Sequence, residues 1–177
     1  MIEHCIVDLE TLGIRPTSKI ISIGAVIFDT DGLTIKDTFY RNIKKASFEN
    51  TKAFTEDAST ALWWSQQSKE SKAILNENQV MLVDALIDLK NWLPIGIRVW
   101  GNGAAFDNAI LSHAYAINRI PVPWAFANDR CYRTIRNQYK DVPYDKFEGI
   151  PHYALDDAKA EALHLIKIIK EKGLSLN

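Results

Sequence analysis

The segment Lys19 to Phe28, KIISIGAVIF, constrains the fold most. Rich in isoleucine and broken only by Ser22 and Gly24, it reads as a long strand and is far too short to span a bilayer. The turn Asp29-Thr30-Asp31-Gly32 follows it, and Thr34 to Ile43 alternates after that, so a hairpin is expected. Upstream, Ile6-Val7 runs into Asp8 as a short first strand.

Beyond the hairpin the pattern turns helical, from Ser59 to about Leu75 and again from about Val80 to Trp92. In the second segment Leu82, Leu86 and Leu89 stand at helical spacing, with Pro94 just past the end. Ile97 to Trp100 is a compact strand closed by Gly101-Asn102-Gly103, and a helix then carries Phe106, Ile110, Ala114 and Ile117. Trp124 to Ala127 is expected as a further strand, followed by a basic helix from about Cys131 to Tyr139. The closing helix, Leu155 to about Lys172, is apolar on Leu155, Ala158, Ala162, Ile166 and Ile169. Three strands followed by alternating helices and strands predict one α/β layered domain with a mixed sheet over residues 1–177.

The formal net charge of −1 gives no global positive field, which argues against a high-affinity duplex binder. It leaves room for an enzyme that grips a few nucleotides and recruits its own cations. The two cysteines, Cys5 and Cys131, have no Cys-x-x-Cys spacing, which speaks against a thiolate zinc site or a disulfide framework. The start, Met1-Ile2-Glu3-His4, lacks a signal-peptide pattern, so a reducing cytoplasm and no membrane partner are expected.

Asp8 and Glu10 stand two apart on a strand, so both carboxylates leave one face, a costly arrangement unless something positive sits between them. Asp107 follows a strand and a glycine turn, near a helix start, and Asp157 lies in the first turn of the last helix. Taken singly, each would be a dipole-favoured acid, as Asp156 is. His152 sits in the loop before that helix. Together they form a set: all-oxygen ligands suit hard cations such as Mg²⁺ or Mn²⁺, and a pair of these orients displacement at phosphorus. A histidine within reach of the attacking water takes its proton near neutral pH.

Three segments carrying these residues resemble the DEDDh branch of the DnaQ-like exonucleases. Asp8-Leu9-Glu10-Thr11 resembles the family's Asp-x-Glu-Thr motif, Phe106-Asp107 with Leu111 its Phe-Asp-x-x-x-Leu motif, and His152-Tyr153-Ala154-Leu155-Asp156-Asp157 its His-x-Ala-x-x-Asp motif. The resemblance implies an RNase H-like fold, a mixed five-stranded sheet flanked by helices. It implies two Mg²⁺ or Mn²⁺ ions on Asp8, Glu10, Asp107 and Asp157, with His152 as general base. It implies 3′→5′ removal of nucleoside 5′-monophosphates from single-stranded DNA or RNA, or from 3′ overhangs. Thr11 and Leu12 match positions that meet the terminal nucleotide, the latter through its side chain, and Phe106 matches one beside the terminal base.

Leu62-Trp63-Trp64-Ser65-Gln66-Gln67-Ser68 and the pair Arg133-Thr134 resemble the group of bacteriophage 3′→5′ exodeoxyribonucleases and mycobacterial-type exoribonucleases. From this, a phage or prophage origin, DNA as the favoured polymer, base stacking by Trp64 and substrate contact by Arg133 are expected. Two positions depart from the pattern. Cys131 stands where the group often has an aspartate, and Asn102 lies one residue further from Asp107 than the asparagine usual in proofreading enzymes. Asn102 is therefore carried only as a candidate contact. Lys44-Lys45 and the series Arg130, Arg133, Arg136 and Lys140 are candidate phosphate contacts. Related exonucleases are often dimers, so a homodimer is allowed for. The competing readings are an exoribonuclease with the same chemistry, a non-catalytic nucleic-acid-binding module on the same fold, and a phosphatase acting on small nucleotides.

Overall fold

The structure, a computed structural model, describes residues 3–31, 33–146 and 149–176. Met1, Ile2 and Gly32 of the expected hairpin turn lie outside them. Strands β1 (His4–Thr11), β2 (Ile20–Asp29) and β3 (Thr34–Asn42) come first, followed by helices α1 (Ala58–Gln66), α2 (Lys69–Ile74) and α3 (Leu82–Trp92). Strand β4 (Arg98–Gly101), helix α4 (Asp107–Ile117), strand β5 (Asp129–Cys131), helix α5 (Tyr132–Gln138) and helix α6 (Ala154–Lys172) complete the chain. The strands form one mixed sheet in the order β3-β2-β1-β4-β5. β2 pairs antiparallel with β1 and β3, whereas β4 pairs parallel with β1 and β5.

The central strand β1 sends alternate residues to opposite faces. Cys5, Val7 and Leu9 join a core with Leu86 and Leu89 of α3 and Ile110, Leu111 and Tyr115 of α4. Ile6 joins a second core with Val26, Phe28 and Trp100 and with Ala158, Leu165 and Ile169 of α6. Asp8 and Glu10 follow Ile6 on that second face.

Two expectations change. The helix anticipated from Ser59 to Leu75 breaks in two, because Gln67 is extended and the Ser68 hydroxyl accepts the Ser71 N–H at 3.0 Å, starting a new helix. Trp124 to Ala127 is not a strand. The chain makes a short 3₁₀ turn at Phe126–Asn128, and the strand falls at Asp129–Cys131. Pro121 and Pro123 remove backbone donors just upstream, and the Trp124 indole N–H donates to Asp129 Oδ1 at 2.8 Å. Cys131 therefore ends a strand, and the basic helix begins at Tyr132. Among the described residues, no helix is long and apolar enough to cross a membrane.

Candidate active site

The acids meet where β1 runs out from between its neighbours. β4 stops at Gly101, paired with Val7, so the chain beyond it turns off beside Asp8. A Cβ at Gly101 would stand 2.9 Å from Asp107 Oδ2, so only glycine lets the Asp107 carboxylate fold back against the strand end. On the other side Asp8 pairs with Gly24 of β2. A Cβ at Gly24 would lie 2.2–2.4 Å from the backbone of Ala154 and Leu155, which places the start of α6 directly on the sheet. Asp157, in the first turn of α6, is thereby held against Asp8 and Glu10.

Asp107 is buried, and its Oδ1 accepts the Leu9 N–H at 3.2 Å while its Oδ2 has no hydrogen-bond partner. Burial, opposed by the hydrogen bonds it accepts, pushes its carboxyl up to about 7. Burial and the charges of Asp157 and Asp107 push Glu10 up to about 8. Asp8 is raised well above the ordinary carboxylate range by burial and then by Asp107, Glu161, Glu10 and Asp157. Asp157 is raised as well, mainly by burial. These acids are crowded without cations, which is the state a divalent ion relieves.

His152 takes a positive φ of 61°, a rare conformation for a non-glycine residue, and its N–H donates to Asp157 Oδ2 at 3.1 Å. One ligand atom each from Glu10, His152 and Asp157 all lie within 4.8 Å of one another. Asp156, next to Asp157 in the first turn of α6, accepts the Ile150 N–H at 3.0 Å and so ties the preceding loop to the helix.

Asp8, Glu10 and Asp157 line a cavity of about 320 Å³ with Asn102, Tyr144, His152 and Glu161. Leu9 and Glu10 also border a second cleft of about 410 Å³, walled by Thr11, Ile14, Trp63, Trp64 and Phe106. Phe106 is half-buried, partly in the core and partly in this cleft. Thr11 is buried, its hydroxyl donating to Gly13 O at 2.6 Å.

The structure places the other candidate contacts as follows. Trp64 is 7% exposed and its indole N–H donates to Thr11 O at 2.9 Å, so the ring anchors β1. Its neighbour Trp63 is the exposed ring, edge-to-face with His152 at 4.7 Å between centroids. Leu12 lines a separate cavity with Lys19, Ile21 and Phe48, because its backbone is tied to Lys19 and Asp57; Ile14, 77% exposed, takes the cleft wall. Asn102 faces inward, its side-chain amide donating to Glu161 Oε1 at 2.6 Å. Arg133 is exposed over Gly103 and hydrogen-bonds the Asn102 carbonyl. Of the other basic residues, Arg130 donates to the carbonyls of Ala127 and Asp129, and Arg136 hydrogen-bonds Tyr144.

The sequence analysis missed Glu161, which lies four residues after Asp157 and so on the same face of α6. That spacing is the signal that would have found it.

A mixed five-stranded sheet flanked by helices, with this acid group at the end of its central strand, defines an RNase H-like exonuclease fold. The chain superimposes on the nuclease domain of 3′hExo, a DEDDh family member bound to rAMP, with a TM-score of 0.64 and 18% identity over 96% of this chain and 92% of that one. It also superimposes on E. coli exonuclease I in complex with a dA16 oligonucleotide, with a TM-score of 0.66 and 14% identity over 97% of this chain and 41% of that one. The cell-death related nuclease CRN-4 aligns with a TM-score of 0.62 and 14% identity over 96% of this chain and 64% of that one. No curated protein sequence matches significantly. The profile of the 3′-5′ exoribonuclease Rv2179c-like domain matches residues 3–169, and the chain belongs to that family, a 3′-5′ exonuclease of the DEDDh type.

Proposed function

We propose that the protein shortens single-stranded nucleic acid from its 3′ end, releasing nucleoside 5′-monophosphates, with Asp8, Glu10, Asp107 and Asp157 holding two divalent cations. The convergence of Glu10, His152 and Asp157 within 4.8 Å beside Asp8 carries this reading. The donor set fits hard cations, since it is all carboxylate, and the buried, unpartnered Oδ2 of Asp107 is an oxygen that an ion would complete. Mg²⁺ or Mn²⁺ bound there would neutralise charge that builds on the phosphate oxygens.

The chain's own residues supply the rest. A ring nitrogen of His152 takes the proton of the attacking water, while Asp157 holds the His152 backbone in place. The water oxygen bonds to phosphorus, the bond from phosphorus to the 3′ oxygen breaks, and that oxygen takes a proton from solvent to leave a 3′ hydroxyl on the shortened chain. The cleft walled by Ile14, Trp63 and Phe106 receives the terminal base, with Thr11 at its floor. Exposed Arg133, beside Asn102, meets a phosphate at the rim. The resemblance to phage enzymes implies DNA, whereas membership of an exoribonuclease family supports RNA 3′ ends.

The test is a gel assay on 3′- and 5′-labelled single-stranded RNA and DNA of matched sequence, with Mg²⁺, Mn²⁺ or chelator. Stepwise shortening from the 3′ end is expected, abolished by chelator and nearly abolished in Asp8→Asn. Cleavage that survives chelator, or an Asp8→Asn variant as active as wild type, would overturn the mechanism. The rate ratio between the two polymers decides the sugar.

A further inference from the structure

Glu161 stands apart from every residue assigned so far. It is 5% exposed, one turn beyond Asp157 on α6, and it lines the acid cavity. Its two oxygens are treated differently: Oε1 accepts from Asn102 at 2.6 Å, whereas Oε2 is buried with no hydrogen-bond partner. Asp107 shows the same half-satisfied pattern, with Oδ1 held by Leu9 N–H and Oδ2 unpartnered. Glu161 and Asp107 lie close enough to repel one another, and both repel Asp8. The basic side chain on this flank, Arg136, hydrogen-bonds Tyr144 and acts on Glu161 through its charge alone, so Oε2 has no hydrogen-bond partner.

A buried carboxylate oxygen with no donor costs free energy unless a charge completes it. Asn102 satisfies one oxygen and fixes the rotamer, so the other is held ready rather than left to wander. Glu10, His152 and Asp157 make one group of converging ligand atoms, Asp8 and Glu161 line the same cavity, and the charges of Asp107 and Glu161 both act on Asp8.

Building on the metal-centre reading above, we propose that Glu161 is a fifth carboxylate of that centre, presenting Oε2 to a divalent cation alongside Asp8 and Asp107. Asn102 is then the positioning residue that aims it, and Arg133, bonded to the Asn102 carbonyl, ties the same strut to the substrate side. The centre gains a protein ligand, and a cation held by it would bind more tightly before substrate arrives.

The test uses the full chain and Mn²⁺ alone, read by isothermal titration and by thermal melting, in wild type, Glu161→Gln, Glu161→Ala and Asp8→Asn. Glutamine keeps an oxygen for the Asn102 amide and removes the charge, whereas alanine removes both. Glu161→Gln and Glu161→Ala are both expected to weaken Mn²⁺ binding by about tenfold, the effect of losing one nearby charge. Glu161→Gln is also expected to melt higher than wild type without metal and to gain less on Mn²⁺ addition. If Glu161→Gln titrates as wild type while Asp8→Asn is weakened, the proposal is overturned, and a defect confined to Glu161→Ala would assign Glu161 to Asn102 alone. If Asp8→Asn also titrates as wild type, the metal-centre reading itself fails and takes this inference with it.

Discussion

The two faces of β1 do opposite jobs from one stretch of eight residues. On one face Cys5, Val7 and Leu9 are closed over by α3 and α4, apolar from end to end. On the other the strand runs from buried His4, which accepts the Trp100 indole N–H, through Ile6 under α6 to Asp8 and Glu10. Helices cover both faces, and two of the acids they bring come from helix starts: Asp157 in the first turn of α6 and Asp107 at the first residue of α4. The first face is given over to packing, whereas the second shares a core under α6 with the acids at its end. The second face can carry like charges in near contact because the first one holds the strand.

That division can be broken from either side. His152→Ala, on the reactive side, should lower kcat by roughly 10²–10⁴-fold and leave the melting temperature within a degree or two, as single-turnover assays and melting curves would show. A melting temperature that fell with the rate would mean the loop also holds the fold. Leu86→Ala, on the closed side, removes a side chain with no solvent exposure and should cost about 2–5 kcal/mol in urea unfolding. Its rate per folded molecule should stay at the wild-type value, and a large loss of rate would show that the faces are not separable.

A smaller effect sharpens the line between neighbours. Trp63→Ala should weaken binding of a single-stranded oligonucleotide by about 1–3 kcal/mol with little change in stability, measured by fluorescence anisotropy. Trp64→Ala should do the reverse, because the buried indole anchors the Thr11 carbonyl. Finally, pH should separate the faces in the metal-free protein. Glu10 and Asp107 are pushed up to about 8 and about 7, so their contribution to stability is full below the ordinary carboxylate range and is lost as pH rises toward 8. Melting curves without metal should therefore decline across that window, and Glu10→Gln should flatten the decline. An equally steep decline in Glu10→Gln would place its origin elsewhere.

Much of this was legible in the chain. The period-2 spacing put Asp8 and Glu10 on one face without any structure, and the three opening strands followed from their apolar patterns. What was hidden depended on tertiary geometry. Two adjacent tryptophans on a helix cannot both face inward, but which one does is set by where Thr11 O lies. Leu12 and Ile14 exchange places because the loop after β1 is tied to Lys19 and Asp57, a contact between distant segments. β5 has three residues, too few to show a period, and is defined by pairing with β4. Glu161 was hidden for a different reason: one more acid on a helix that also carries lysines reads as solvated surface until its burial is known.

Gly24 sets a tolerance for the whole apparatus. The missing side chain there is the gap through which the backbone of Ala154 and Leu155 meets the sheet, and that backbone leads directly into Asp157 and follows directly from His152. A single added methyl would have to lift the front of α6 by about 1 Å, a displacement that can cost on the order of 10²-fold in rate even far from the chemistry. Acid and base would move together, keeping their mutual alignment while losing their register with Asp8 and Glu10. The joint works like a datum surface in a machine tool: a position that touches no substrate decides how accurately every cut is made.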